Sequence, residues 1–350
     1  MYDIAIIGLG PAGSTLARLL SPSFSILALD KKSPAGEHGF HKPCGGLLAT
    51  DAQKSLARFG LALPLDLLVD PQIFSVRTID IPADSIRHYQ RFYINLDRHA
   101  FDQWLMSLIP PHVDRHTGIH NTRIERRKDG YRIFWREKGE QRQADARRIV
   151  GADGAASQVR RLLYPQSACR SYIAIQQWFE DRHPTPFYSC LFDPESTDCY
   201  AWGLTKNKHF IFGGAFSPKH GREKFELLKQ KAARFGFHLE TPIKTEACMV
   251  LRPANPGMLY TGRNNSFLIG EAAGFISPSS LEGLSYALDS ARKLSSVLNK
   301  KQPGADREYF LSTLPLRLKL FSKNLKSPFL YHPFLRRLVM RSGVGSIPVE

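Results

Sequence analysis

The sequence has 350 residues, 43% of them hydrophobic and 23% charged, enough apolar material for a sizeable core in one large or two modest domains. Formal net charge is +16, no window reaches the roughly 18 consecutive apolar residues a spanning helix needs, and the N-terminus shows no signal-peptide pattern, which predicts a cytoplasmic protein whose membrane contact is at most peripheral. The five cysteines are odd in number and form no C-x-x-C pair, so neither a disulfide framework nor a zinc site is suggested and free thiols are predicted.

Ile4 to Ile7 reads as a short buried strand, Gly8-Leu9-Gly10-Pro11-Ala12-Gly13 as a turn and Ser14 to Leu20 as a helix. A second apolar run, Phe24 to Leu29, ends at Asp30. A G-x-G-x-x-G alone is a weak signal. Here it follows a strand, opens a helix and has an acid twenty residues after Gly10, the spacing of a dinucleotide-binding βαβ unit. Gly8 allows the tight turn, Gly10 lets backbone approach a pyrophosphate, and Gly13 permits close packing. Pro11 and Ala12 lead into a helix N-terminus facing the phosphates. Asp30 and Lys31 are the candidate cofactor-binding residues at the end of this strand; a carboxylate at Asp30 is expected to accept the hydroxyls of an adenine ribose and disfavours a 2′-phosphate, so FAD or NAD is preferred over NADP here.

A Gly/Pro-rich loop, Ser33 to Gly46, leads to a helix over Thr50 to Phe59. Residues 72 to 95 alternate as strands do, and Arg98 to Leu108 is helical, with Phe101, Trp104, Leu105 and Leu108 on one face. Strands around Arg123 to Glu125, Tyr131 to Trp135 and Arg148 to Val150 lead to Gly151-Ala152-Asp153-Gly154 and a short helix, Ser157 to Leu163. From 171 to 252 the pattern is mostly β, interrupted by a helix at Glu223 to Phe235. Within it Tyr200 and Trp202 project from one face of a strand, as do Phe210 and Phe212. Phe267 to Gly270 is a buried strand and Gly283 to Leu298 an apolar-periodic helix.

Residues 291 to 342 carry twelve Lys or Arg against Asp306 and Glu308, a tail suited to nucleic acid, anionic lipid or an acidic partner, or else a solvated basic surface. No aromatic-basic RNA-binding signature accompanies it, so nucleic acid is not an expected partner. The twelve histidines form no H-x-x-x-H or H-E-x-x-H pattern and no nucleophile elbow is present, so neither a metal site nor serine hydrolysis is expected.

Asp97-Arg98-(x)-(x)-Phe101-Asp102, Gly151-Ala152-Asp153-Gly154 and Gly270-Glu271-Ala272-Ala273-Gly274 make the chain resemble FAD enzymes of the p-hydroxybenzoate hydroxylase fold. Lys42-Pro43-Cys44-Gly45-Gly46 and Tyr200-Ala201-Trp202 narrow the resemblance to the geranylgeranyl reductase family. It implies an α/β, glutathione-reductase-like architecture. A Rossmann-type FAD-binding domain comes from 1–70, 96–165 and 255–300, an inserted β-sheet substrate domain from 71–95 and 166–254, and a basic helical C-terminal tail from 301–350.

The resemblance further implies that Arg98 reaches the FAD diphosphate, that Asp153 closes the site near the pyrophosphate, and that Gly270 and Glu271 meet the ribityl chain. Glu271 stands where the family has Asp. Pro278 to Gly283 opens a helix whose N-terminal amides would face the flavin pyrimidine ring. Cys44, Gly45 and Gly46 pass the isoalloxazine ring, with Cys44 either a catalytic proton donor or a merely buried thiol. Tyr200 and Trp202 line the substrate cavity; at Gly203-Leu204-Thr205-Lys206 the relatives continue instead with Phe-Pro.

The activity this implies is that of an FAD-dependent oxidoreductase: NADPH or another reduced donor supplies hydride to FAD, which reduces a double bond of an isoprenoid or other apolar lipid, with Cys44 or solvent giving the proton. One rival is an FAD-dependent monooxygenase acting on an aromatic or apolar small molecule. Another is a non-catalytic flavin-bearing or basic binding protein. In the tail, Leu316, Leu318, Leu320, Phe321, Leu325, Phe329 and Phe334 interleave with cations, which suits peripheral contact with the inner face of an anionic membrane.

Overall fold

The computed structural model describes residues 1–33, 42–167, 169–181 and 187–349, so residues 34–41 of the Gly/Pro-rich loop lie outside the described residues. The chain begins β1 (Tyr2–Ile7), α1 (Pro11–Leu19), β2 (Ile26–Asp30), β3 (Leu47–Leu48), α2 (Thr50–Arg58), β4 (Ile73–Asp80), β5 (Ser85–Asn95) and α3 (Arg98–Ser107). Next come β6 (Asp114–Thr117), β7 (His120–Arg127), β8 (Gly130–Glu137), β9 (Glu140–Gly151) and α4 (Gln158–Leu163). A β-rich stretch follows, with β10 (Ser171–Glu180), β11 (Phe187–Phe192), β12 (Ala201–Lys206), β13 (His209–Phe216), α5 (Gly221–Ala232) and β14 (Lys244–Leu251). The remainder is β15 (Gly262–Arg263), β16 (Ser266–Leu268), α6 (Leu284–Leu298), α7 (Ala305–Ser312), α8 (Leu314–Tyr331), α9 (Pro333–Ser342) and β17 (Ser346–Ile347).

Among the described residues these strands sort into two sheets. The eight-stranded sheet has the order β15-β16-β9-β1-β2-β6, with β1 parallel to both β2 and β9 and the β7–β8 hairpin attached to β9. Strands β1 and β2 carry continuous apolar runs, Ile4 to Ile7 and Ile26 to Leu29, because both faces are covered there, the usual condition of a parallel sheet. Ile4, Ile6 and Ile26 pack with Leu16 of α1 and Leu294 of α6 on one side. Ala5, Ile7, Leu27 and Leu29 pack with Phe275 and with Leu316 and Leu320 of α8 on the other.

The nine-stranded sheet has the order β14-β10-β13-β12-β11-β4-β5-β17, with β3 added beside β5. Its outer face is closed by α5, where Phe225 and Leu228 meet Phe212 and Phe216. The inner face carries Tyr200, Trp202 and Leu204, which cluster with Ala155 and Ile276 from segments that flank the first sheet. The site lies where that inner face meets the C-terminal ends of β1, β2 and β9.

The tail is not helical to its end. After α7, α8 and α9 the chain forms β17, pairing Ser346 with Tyr89 and Ile347 with His88, so the last residues cover the edge that β5 would otherwise expose. A buried ion pair, Arg336 to Asp80 at 2.9 Å, ties α9 to β4.

Candidate active site

The turn from β1 into α1 leaves no room for side chains. Gly8 has φ +98° and a Cβ on it would lie 2.6 Å from the Ala152 carbonyl oxygen, while a Cβ on Gly13 would collide with the Gly8 carbonyl oxygen. Around Gly10, by contrast, the Lys32 ammonium at 3.8 Å is the one neighbour a Cβ would meet among the described residues, so the backbone there is open. Pro11 and Ala12 form the buried first turn of α1, and Ala12 packs against Gly270. Asp30 ends β2, buried; its carboxylate accepts from the Leu9 amide and, at 2.6 Å, from the Lys32 amide, fastening the glycine turn to the strand.

The start of α3 supplies charge to the same corner. Asp97 caps the helix by accepting from the His99 and Ala100 amides at 2.8 and 2.9 Å. Arg98 Nε donates to Asp102 Oδ1 at 2.9 Å, one turn on, and Lys32 Nζ donates to Asp102 Oδ2 at 2.5 Å. Burial pushes the Asp102 carboxyl up, but Arg98 and then Lys32 outweigh burial and hold it at about 2. Two cations share one carboxylate beside the open backbone, a balance that favours an anionic ligand. Lys31 is exposed, and the lysine at the turn is Lys32.

The Ala152 amide donates to the Ile7 carbonyl at 2.8 Å, locking the 151–154 turn onto β1. Asp153 Oδ2 accepts from the Gln158 amide at 2.7 Å at the start of α4. Its Oδ1 is buried without a partner among the described residues, and burial pushes this carboxyl up. Open backbone at Gly10, the Lys32 and Arg98 cations, and a partnerless acceptor on Asp153 fit a dinucleotide with a diphosphate and donor hydroxyls.

The Lys42 to Gly46 loop joins the two sheets. Lys42 bonds Glu271, whose other oxygen accepts from the Leu251 amide of β14 at 2.9 Å. Burial alone would push the Lys42 ammonium down; Glu271 outweighs it and holds it above the usual lysine value. Cys44 Sγ is half-buried against the Arg98 guanidinium and accepts from the Gly46 amide at 3.5 Å. Gly46 has φ +62°, and a Cβ there would strike the Leu96 carbonyl and lie 2.6 Å from Lys206 Nζ. A Cβ on Gly45 would stand 3.6 Å from Leu204.

Strand alternation puts Tyr200, Trp202, Leu204 and Lys206 of the β12 segment on one face. Tyr200 donates to the Ser280 carbonyl at 2.6 Å and accepts from Tyr188 at 3.4 Å; its ring lies 5.9 Å from that of Trp202. Burial raises both tyrosine hydroxyls well above their usual range, so they stay neutral. The Trp202 indole lies over Gly213, where a Cβ would come within 2.7 Å of it. Phe210 and Phe212 turn to the opposite face and pack on Phe237 beneath α5, so they belong to the core and not to this wall.

No protein-family model matches the chain. It is 53% identical over 347 residues to protein CbrA of Escherichia coli O9:H4 (strain HS), covering 99% of this chain and 95% of that protein. The chain belongs to the CbrA family. Among solved structures, the CbrA-family fold is similar to a geranylgeranyl bacteriochlorophyll reductase-like protein from Thermoplasma acidophilum. That match has a TM-score of 0.78 at 18% identity and covers 94% of this chain and 87% of the other. It is also similar to PqsL, a probable FAD-dependent monooxygenase from Pseudomonas aeruginosa, with a TM-score of 0.71 at 15% identity, covering 97% and 98%. The architecture is that of the FAD-binding flavoprotein oxidoreductases, α/β with a Rossmann-type unit.

Two features of this CbrA-family chain bear on what the resemblance implies. Glu271, which the resemblance places at the ribityl chain, has both oxygens bound to protein, as has Asp30. Gly283 precedes α6, but the Glu282 carboxylate accepts from the Ser285 amide at 2.7 Å, so a side chain already closes part of that helix start. Two lysines escape the sequence reading. Lys206 is buried, and Nζ donates to Asn95 Oδ1 at 2.7 Å and to the Leu96 carbonyl at 2.6 Å. Burial pushes its ammonium down to about 8, against the pull of Cys44 and Asp97. The two-residue period that pairs Tyr200 with Trp202 extends to 206, and the same period relates Lys32 to Asp30, so both were within reach of alternation alone.

Proposed function

We propose that this CbrA-family chain is an FAD-dependent oxidoreductase that reduces a carbon-carbon double bond of an isoprenoid or similar apolar lipid. One observation carries the reading: a single strand face runs from the aromatic pair Tyr200 and Trp202, through Leu204, to Lys206 against the Cys44–Gly46 loop. That face brings an apolar wall up to the loop that meets the dinucleotide corner. The likeness to a geranylgeranyl bacteriochlorophyll reductase-like protein supports the same substrate class.

Gly8, Gly10 and Gly13 with Pro11 and Ala12 would cradle the diphosphate and Lys32 and Arg98 would neutralise it; Asp153, and Asp30 through the lone pairs its two amide bonds leave, would take its hydroxyl donors. Bound FAD supplies two-electron hydride chemistry, fed by NADPH or another reduced donor. Gly45 and Gly46 allow backbone to lie against a flat ring. Tyr200, Trp202 and Leu204 exclude water and orient the chain of the substrate. Cys44 Sγ, held by Arg98 and the Gly46 amide, is positioned to give a proton. Lys206 ties the end of β12 to the end of β5 through Asn95 and Leu96, and the Leu96 amide in turn donates to the Gly46 carbonyl of the loop at 3.0 Å.

The test is anaerobic: the flavin-loaded protein is reduced with NADPH and offered geranylgeranyl and undecaprenyl lipids. Reoxidation by a lipid that gains two hydrogens supports the reductase; reduced flavin that no lipid reoxidises overturns it. The likeness to PqsL favours a second reading, a monooxygenase. Oxygen uptake coupled to hydroxylation of an aromatic or apolar molecule would select that reading instead.

A further inference from the structure

Helix α8 is apolar on two opposite sides. Leu316 and Leu320 are buried against the first sheet with Tyr286 and Phe275, Lys319 pairs with Asp51 at 2.6 Å, and Tyr331 at the C-terminal end donates to the Ser279 carbonyl at 2.8 Å. These contacts fix which side faces the protein. At about 100° per residue, Leu314, Leu318, Phe321, Leu325 and Phe329 fall within an arc of roughly 80° on the other side. There they are 46%, 57%, 43%, 61% and 57% exposed. A solvent-facing helix side is normally polar, so five large apolar residues in register mark a surface that is covered in use. Helix α9 adds exposed Phe334 and Leu338.

The charge around this stripe names the cover. From Tyr309 to Val349 the chain holds seven Lys or Arg and no Asp or Glu. Lys319 and Arg336 are used in ion pairs with Asp51 and Asp80. Arg317, Lys326, Arg337 and Arg341 form no ion pair among the described residues, while Lys323 lies over the Tyr286 ring on the protein side. A second copy meeting the stripe face to face would bring these cations against their own kind, which opposes a symmetric dimer. An anionic lipid surface offers both hydrocarbon for the stripe and counter-charge for its border.

We propose that the outer side of α8, with α9, seats the protein on an anionic bilayer surface. The inner end of the same helix reaches the aromatic wall: Tyr331 stands 5.8 Å from Phe192 and joins the cluster of Tyr200 and Trp202. A protein seated this way holds its apolar wall one helix away from the lipid phase. The docking does not depend on which reaction follows.

The test uses the full chain with its flavin and no substrate, sedimented with phosphatidylcholine vesicles with and without phosphatidylglycerol. Binding is expected with phosphatidylglycerol and is expected to weaken as salt rises. Leu318→Gln with Phe321→Gln and Leu325→Gln should weaken it by at least about tenfold. Lys326→Gln, Arg337→Gln and Arg341→Gln should each weaken it about fivefold at low salt. All these side chains are exposed, so unchanged circular dichroism and thermal unfolding establish that the variants fold. No binding to anionic vesicles at low salt, binding unaltered by the apolar variant, or a concentration-dependent dimer that the apolar variant dissolves would each overturn the proposal.

Discussion

The dinucleotide corner and the aromatic wall sit on opposite sides of the Cys44 loop and are built on opposite plans. At the corner, backbone is held open by missing side chains, and charge is concentrated: Lys32, Arg98 and Asp102 are buried or nearly so within one hydrogen-bonded group. At the wall, Tyr200 and Trp202 are buried and Tyr188 is half-buried, with the tyrosine hydroxyls satisfied by one another and by the Ser280 carbonyl. A phosphate-bearing cofactor demands particular atoms at particular places, so its corner admits few substitutions. An apolar chain demands only shape and dryness, and many residues provide those. Substitutions at the corner should therefore remove cofactor and stability together, while those at the wall should leave the cofactor in place.

The largest effect belongs to Gly13→Val. Its added carbons have no space against the Gly8 carbonyl, and a loss above about 4 kcal/mol with no retained flavin is expected by thermal unfolding and visible absorbance. A folded, yellow Gly13→Val protein would break the contrast. Next is Asp102→Ala, which strands the buried Lys32 and Arg98 cations and should cost about 3–5 kcal/mol. The wild-type carboxyl is held at about 2, below its unfolded value of 3.8, so its stabilisation is present above pH 3.8 and lost as pH falls through 2. Acid unfolding of Asp102→Asn should lack that component, worth about 2 kcal/mol.

Lys206 tests the border between the two regions. Its folded value of about 8 lies below the ordinary 10.5, so the unfolded chain binds more protons between those pH values and stability should rise with pH across that window. The rise, about 3 kcal/mol, should be present in wild type and missing from Lys206→Met. Equal slopes in urea titrations would show that the ammonium is better solvated than its burial implies. The smallest effect is expected at the wall. Tyr200→Phe loses the bond to the Ser280 carbonyl, costs about 1 kcal/mol and leaves flavin content unchanged, a distinction that parallel unfolding and absorbance measurements resolve.

The contrast also explains what was legible in the sequence. The Gly8 to Gly13 turn, the Asp30 strand end and the Asp97–Arg98–Asp102 turn are local patterns, decided within a few residues by sterics, capping and one helical turn. The bonds that assemble the site are not local. Lys32 meets Asp102 across 70 residues, Lys206 meets Asn95 across 111, and Lys42 meets Glu271 across 229. Periodicity says which face a side chain leaves from and nothing about which distant strand arrives opposite. Alternation therefore points Tyr200 and Trp202 to one face but leaves undecided that Phe210 and Phe212 turn to the other. The strand β17 lies beyond such reading for the same reason, since two residues acquire strand geometry only from the β5 edge beside them.

The most direct measurement of the central claim is the cofactor content of the purified wild-type protein beside Gly13→Val and Trp202→Phe, by visible spectrum and mass of the released cofactor. One FAD per chain in wild type and Trp202→Phe, and none in Gly13→Val, is the expected result. A colourless wild-type protein, or FAD lost equally from Trp202→Phe, would contradict the assignment of cofactor to the corner and substrate to the wall.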